Sequence, residues 1–188
     1  MAQRVPDTSR RWTIAELEHF PADGTRHELV DGVLLVTPMP RPVHEVTLVV
    51  LADLLWPVAR SGGLVVSLRS GVQAGDHTSL EPDLVVSAIP TERPLPETWH
   101  TMPRPLLAVE VLSRGSAGFD RGLKRRAYLA AGVGEYWVLD PRRRTIERWI
   151  GADDAGTIHR DAITTTIGGA EFTLDVAGFW ATVCGPAR

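Results

Sequence analysis

The apolar positions of this chain change period several times, and each change predicts an element. Thr13 and Glu16 have capping-box spacing, which predicts a short helix over 14–20. HELV-DG-VLLV (27–36) sets two β-prone runs around Asp31-Gly32, a strong hairpin signal. Pro42 opens a helical segment in which Val43, Val46, Val50 and Leu54 recur at three- and four-residue spacing, with Pro57 near its end. After the Gly62-Gly63 turn, 64–70, 71–75 and 83–88 read as strands. Residues 90–105 hold five prolines among polar residues and predict an irregular crossing. The run 106–112 is a strand, and 116–131 is a helix with an apolar stripe of Phe119, Leu123, Ala127 and Ala130, closed by Gly132. Strands follow at 135–140, 145–150, near 157–163 and at 171–174, then a helix over 175–183.

This order describes a mixed α/β domain built on one sheet, spanning 13–188 behind a polar, flexible segment at 1–12. Composition changes little: 44% hydrophobic and 23% charged residues are ordinary for a globular chain. Cys184 is the only cysteine, so neither a disulfide framework nor a cysteine-based zinc site is available, and a reducing, cytoplasmic setting is expected. The N-terminal stretch lacks the apolar core of a signal peptide, and no membrane span is expected. The net charge of −3 argues against an obligate nucleic-acid coat but permits a local basic patch. The motifs of P-loop NTPases, G-x-S-x-G hydrolases and H-E-x-x-H peptidases are missing.

The chemistry concentrates around one oddity. In LLAVEVL (106–112), six apolar residues surround the carboxylate of Glu110. An unpaired ion buried there costs several kcal/mol, of order 5. Strand alternation puts Leu106, Ala108, Glu110 and Leu112 on one face, and Leu107, Val109 and Val111 on the other. Asp83 follows Pro82 at the start of another apolar run, where a strand begins. Two carboxylates on neighbouring strand ends can share a divalent cation such as Mg²⁺. On the following helix, Asp120, Lys124 and Tyr128 fall at i, i+4 and i+8, so Lys124 can reach toward Glu110.

PDLVV, LLAVEVLS, D-x-x-x-K-x-x-x-Y, GVGEYWVLDP and the HELVDGVLL hairpin together resemble the Uma2 family (DUF820) of the PD-(D/E)xK nuclease-like superfamily, over about residues 13–150. The resemblance implies a restriction-endonuclease-like fold and a Mg²⁺- or Mn²⁺-dependent DNA endonuclease, acting as a homodimer. It implies Asp83 and Glu110 as metal ligands, Glu28 as a third carboxylate, the Val111 carbonyl as a further ligand, and Lys124 as the catalytic lysine. Leu112 stands where the parent motif has its lysine, and Lys124 is the apparent substitute. Arg121 and Arg125, with Tyr128, are the candidate substrate-binding residues.

Plainer roles exist for each residue. Glu110 can pair with an arginine across the sheet, Asp83 can cap a turn, and Asp120–Lys124 is an ordinary helical ion pair. Glu28 can be a cross-strand partner, and Tyr128 a packing residue with its hydroxyl tied to the site edge. His44, near the start of a helix, could line the cleft, but an ordinary surface or capping histidine is the plainer reading. The basic clusters at 121–126 and 142–144 are either phosphate contacts or solvated faces. The competing functional reading is a non-catalytic module of the same fold that binds nucleic acid or protein.

Overall fold

The computed structural model describes residues 5–21, 24–37, 39–91, 94–113, 115–151 and 155–186. Its centre is a six-stranded sheet in the order β11-β10-β9-β8-β7-β4. The strands are β4 (Leu64–Leu68), β7 (Leu84–Ala88), β8 (Leu107–Val111), β9 (Glu135–Asp140), β10 (Thr145–Ile150) and β11 (Thr157–His159). β8 and β9 pair in parallel, and the other neighbours are antiparallel. A parallel pair needs a crossover, and here the crossover carries Lys124 and Tyr128.

One face of this sheet is covered by α2 (Pro42–Ser61), α4 (Val176–Cys184) and the hairpin β12 (Ala162–Ile167) and β13 (Ala170–Asp175). Leu48, Leu51 and Leu55 of α2 meet Leu107, Val109 and Val111 of β8 and Phe179 and Trp180 of α4 in that core. The other face meets α3 (Arg125–Ala130) and a five-stranded sheet, β1-β3-β2-β6-β5. That sheet contains β1 (Val5–Asp7), β2 (Arg26–Val30), β3 (Val33–Thr37), β5 (Val72–Ala74) and β6 (Thr78–Leu80). Ala108, Tyr128, Tyr136, Val138 and Trp149 meet Val30, Leu35, Val72 and Leu80 in this second core. β8 is therefore buried on both sides, in keeping with an apolar run interrupted only by Glu110.

Several boundaries differ from the sequence expectation for local reasons. The first helix, α1, is only Ile14–Leu17; Glu16 Oε2 accepts from the Thr13 amide and hydroxyl at 2.9 Å each, so the cap is real although the helix is brief. Residues 5–7, from the segment expected to be flexible, form an edge strand against β3. β6 was not legible, because three residues are too few to show alternation. Arg160 and Asp161 split the strand expected over 157–163 into the end of β11 and the start of β12.

α2 shows the largest reversal. Val43, Val46 and Leu54, which announce the helix, are exposed at 39%, 44% and 40%, while Leu48, Leu51, Leu55 and Ala59 face the core. The helix is apolar nearly all round, so two stripes satisfy helical spacing and the sequence does not say which is inward. By length and composition alone α2 is also apolar enough to cross a membrane; its inner stripe packs on the sheet.

Candidate active site

The Asp31-Gly32 turn delivers the first acid. Asp31 and Gly32 both have positive φ, 51° and 82°, the signature of a type I′ hairpin. This sets the register of β2, in which Glu28 lies opposite Leu35. Arg26 and Glu28, two apart, share a face of β2. Asp83 sits immediately before β7, next to β8, where Leu84 pairs with Val109. Glu110 lies on β8, on the α3 side, as alternation requires.

The crossover after β8 begins with a wide π-helical turn, Phe119–Lys124, and continues as α3. Lys124 and Tyr128 lie one turn apart and both reach Glu110 Oε1: Tyr128 Oη donates at 2.7 Å, and Lys124 Nζ makes a very short contact. Lys124 Nζ also lies 2.7 Å from Glu28 Oε1, which accepts the Glu81 amide at 3.0 Å. Glu28, Lys124 and Tyr128 are fully buried, and Glu110 is 1% exposed.

Arg26, which drew no attention in the sequence, completes the cluster. Its Nη1 donates to Asp83 Oδ1 at 2.8 Å, its Nε lies 3.6 Å from Glu28 Oε2, and its Nη2 lies 3.6 Å from Glu110 Oε2. The expected surface role of His44 is also corrected: Nε2 lies 2.9 Å from Asp83 Oδ2, which accepts the Val111 amide at 2.8 Å. The only cue to Arg26 was its i−2 position relative to Glu28. His44 is brought in by the N-terminal turn of α2, a contact across 39 residues that no local pattern encodes.

The electrostatics follow from burial and pairing. Burial disfavours the Asp83 carboxylate, but Arg26 and His44 more than reverse this and hold its pKa far below the usual range. Burial pushes Glu110 up to about 8; Lys124 opposes the shift, and Asp83, Asp120 and Glu28 add to it. Burial works against protonated His44, yet the hydrogen bond and charge of Asp83 raise its pKa overall. Tyr128 is raised well above its usual value by burial and by Glu110, so it stays a donor.

The structure thus brings together Asp83, Glu110, Glu28, Lys124 and Tyr128. Arg121 and Arg125 turn elsewhere. Arg121 binds Glu147, with Nε to Oε2 at 2.7 Å, and reaches Asp140 at 3.2 Å, while Arg125 lies over the Trp149 ring at 5.6 Å. β10 offers both a partner, so these guanidinium groups are anchored on the sheet rather than at the acids. Tyr128, expected at the substrate, is sealed in the core behind Glu110.

A model of the Uma2 family, described as "Putative restriction endonuclease", matches residues 14–180. The chain belongs to the Uma2 family. Its fold is similar to that of a DUF820 protein from Anabaena variabilis, described as "a putative nuclease", with a TM-score of 0.75 at 18% identity, covering 91% of this chain and 98% of that one. The mixed α+β architecture is shared with that Uma2 relative, and family and neighbour together support a nuclease. No curated protein matches the chain.

By chemistry, the three carboxylates offer hard oxygens of the kind Mg²⁺ prefers. Their spacing is set by a guanidinium, and among the described residues no three His, Cys, Asp or Glu side chains are grouped as a preformed metal cage. The cation now between the acids is Arg26.

Proposed function

We propose that this Uma2 protein is a divalent-metal-dependent DNA endonuclease that hydrolyses phosphodiester bonds at the Glu28–Asp83–Glu110 cluster. The observation that supports this most is the meeting of three acids, from β2, the start of β7, and β8, around a position that holds one positive charge. Glu28, Asp83 and Glu110 would hold Mg²⁺ or Mn²⁺. The bound ion would supply charge to stabilise the phosphoryl transition state and activate water for attack.

The chain's own residues prepare that position. Lys124, wholly buried between Glu28 and Glu110, keeps two like charges close and fixes one oxygen of each; it acts as a positioning residue. Tyr128 locks the same oxygen of Glu110. His44 and the Val111 amide hold Asp83 Oδ2, leaving Oδ1 toward the centre. Each acid is thus aimed by a second contact, which is how a site gains precision.

One observation favours a second reading, a nuclease fold without catalysis: Arg26 and Lys124 already neutralise most of the acid charge. Nicking of supercoiled plasmid DNA in Mn²⁺ separates the two. The protein is expected to nick, with Asp83→Asn and Glu110→Gln purified in parallel losing at least about a hundredfold in rate, the scale of removing one transition-state contact. Nicking that persists in both variants, or none by the wild type, refutes the endonuclease.

A further inference from the structure

Each nitrogen of the Arg26 guanidinium faces a different acid: Nε faces Glu28, Nη1 faces Asp83 and Nη2 faces Glu110. The remaining oxygens of these acids are committed elsewhere. Glu28 Oε1 is ion-paired with Lys124 and accepts the Glu81 amide, Glu110 Oε1 accepts from Lys124 and Tyr128, and Asp83 Oδ2 accepts from the Val111 amide with His44 beside it. The oxygens turned toward Arg26 are therefore the three an incoming ion would have to use.

The grip of Arg26 is uneven. One contact is a hydrogen bond at 2.8 Å, and the other two, at 3.6 Å, are longer than hydrogen bonds. Its side chain keeps 11% exposure, against 0%, 3% and 1% for the side chains of Glu28, Asp83 and Glu110, so it lies at the mouth of the cluster, with the acids behind it. Lys124, by contrast, is sealed beneath them. Of Arg26 and Lys124, only Arg26 keeps any exposed surface. A divalent ion and a guanidinium cannot occupy the same three oxygens together, since like charges a few ångströms apart in a low-dielectric site repel strongly.

We propose that Arg26 is a built-in placeholder for the divalent ion: guanidinium and metal hold the same three oxygens in turn, and Arg26 must swing out toward solvent for the ion to enter. The inference rests on the metal-dependent reading above and adds its regulation. Arg26 keeps the acids folded and paired without metal, and it sets the ion concentration at which the site loads.

The test needs no DNA. Mn²⁺ is titrated by calorimetry into the full-length wild type, Arg26→Gln and Glu110→Gln, with circular dichroism confirming that each is folded. Arg26→Gln is expected to bind Mn²⁺ about tenfold more tightly than wild type or better, the equivalent of one competing ion pair, and Glu110→Gln to lose that binding. Mn²⁺ binding that depends on Glu110 but is no tighter in Arg26→Gln overturns the placeholder and leaves the nuclease reading intact. Absence of Glu110-dependent binding in both overturns the two together. A measurement on the wild type alone covers a variant that fails to fold. With ¹⁵N-labelled arginine, the Arg26 Nε–H resonance is expected to shift during a Mg²⁺ titration, saturating along the binding curve. A resonance that stays put at saturation overturns the exchange.

Discussion

Lys124→Met removes the only buried amine of the cluster while keeping most of its volume. Lys124 has no exposed surface and contacts two carboxylates, Glu28 at 2.7 Å and Glu110 more closely still. Breaking one partner of a buried pair costs about 3–5 kcal/mol, because the other is left uncompensated. At roughly 2–4 °C per kcal/mol for a chain of this size, the melting temperature should fall by about 6–20 °C. Glu110→Gln in the Lys124→Met background removes one stranded charge, so the double variant should recover about 1–3 kcal/mol relative to the sum of the singles.

The pH dependence gives a second handle on the same variant. Burial and neighbouring acids already raise Glu110; without Lys124 it rises further. A carboxyl raised on folding contributes stability below its unfolded value and loses it as pH rises toward the folded one. The Glu110 part of the Lys124→Met penalty should therefore stay nearly flat below about pH 8, where this carboxyl is protonated in both folded proteins, and grow above it. Urea unfolding of the metal-free proteins at several pH values measures all of this. A loss under about 1 kcal/mol, strict additivity of the pair, or a penalty that shrinks as pH rises would refute the buried-cation reasoning.

Other predictions probe the scaffold and the rim of the site. Leu51→Ala, on the inner stripe of α2, should cost about 2–5 kcal/mol, whereas Val49→Ala on the exposed stripe should stay within about 0.5 kcal/mol; urea denaturation compares them. Gly134→Ala places a Cβ 2.8 Å from the Leu106 carbonyl oxygen, where the entries to β8 and β9 nearly touch, and should cost about 1–3 kcal/mol by the same assay. His44→Ala removes a group whose pKa Asp83 raises, so wild-type stability from this contact is full below the free-histidine range and fades as pH climbs through the raised value. Denaturant midpoints in chelator at pH 6 and pH 9 should therefore converge more in His44→Ala than in the wild type.

Much of this was legible because the relevant signals are local. The Asp31-Gly32 turn, the alternation that aims Glu110 at the α3 face and the one-turn spacing of Lys124 and Tyr128 each depend on a few neighbouring residues, and each reappears in the coordinates. What escaped depends on distance. Arg26 meets Asp83 across 57 residues and His44 meets it across 39, and neither contact leaves a periodic trace. Arg121 and Arg125 sit beside Lys124 in the chain, but helical geometry points them toward Glu147 and Trp149 instead. The choice of α2 face was ambiguous because apolarity all round the helix removes the contrast that orients it.

The two-residue hairpin between β2 and β3 therefore governs more than the course of the backbone. Shifting β2 along its neighbours by a single position would bring His27 and Leu29 to where Arg26 and Glu28 now stand, and cation and anion would leave together. A lengthened or shortened loop at residues 31 and 32 would thus dismantle the cluster without altering any acid or base, an injury invisible to anyone inspecting only the charged side chains.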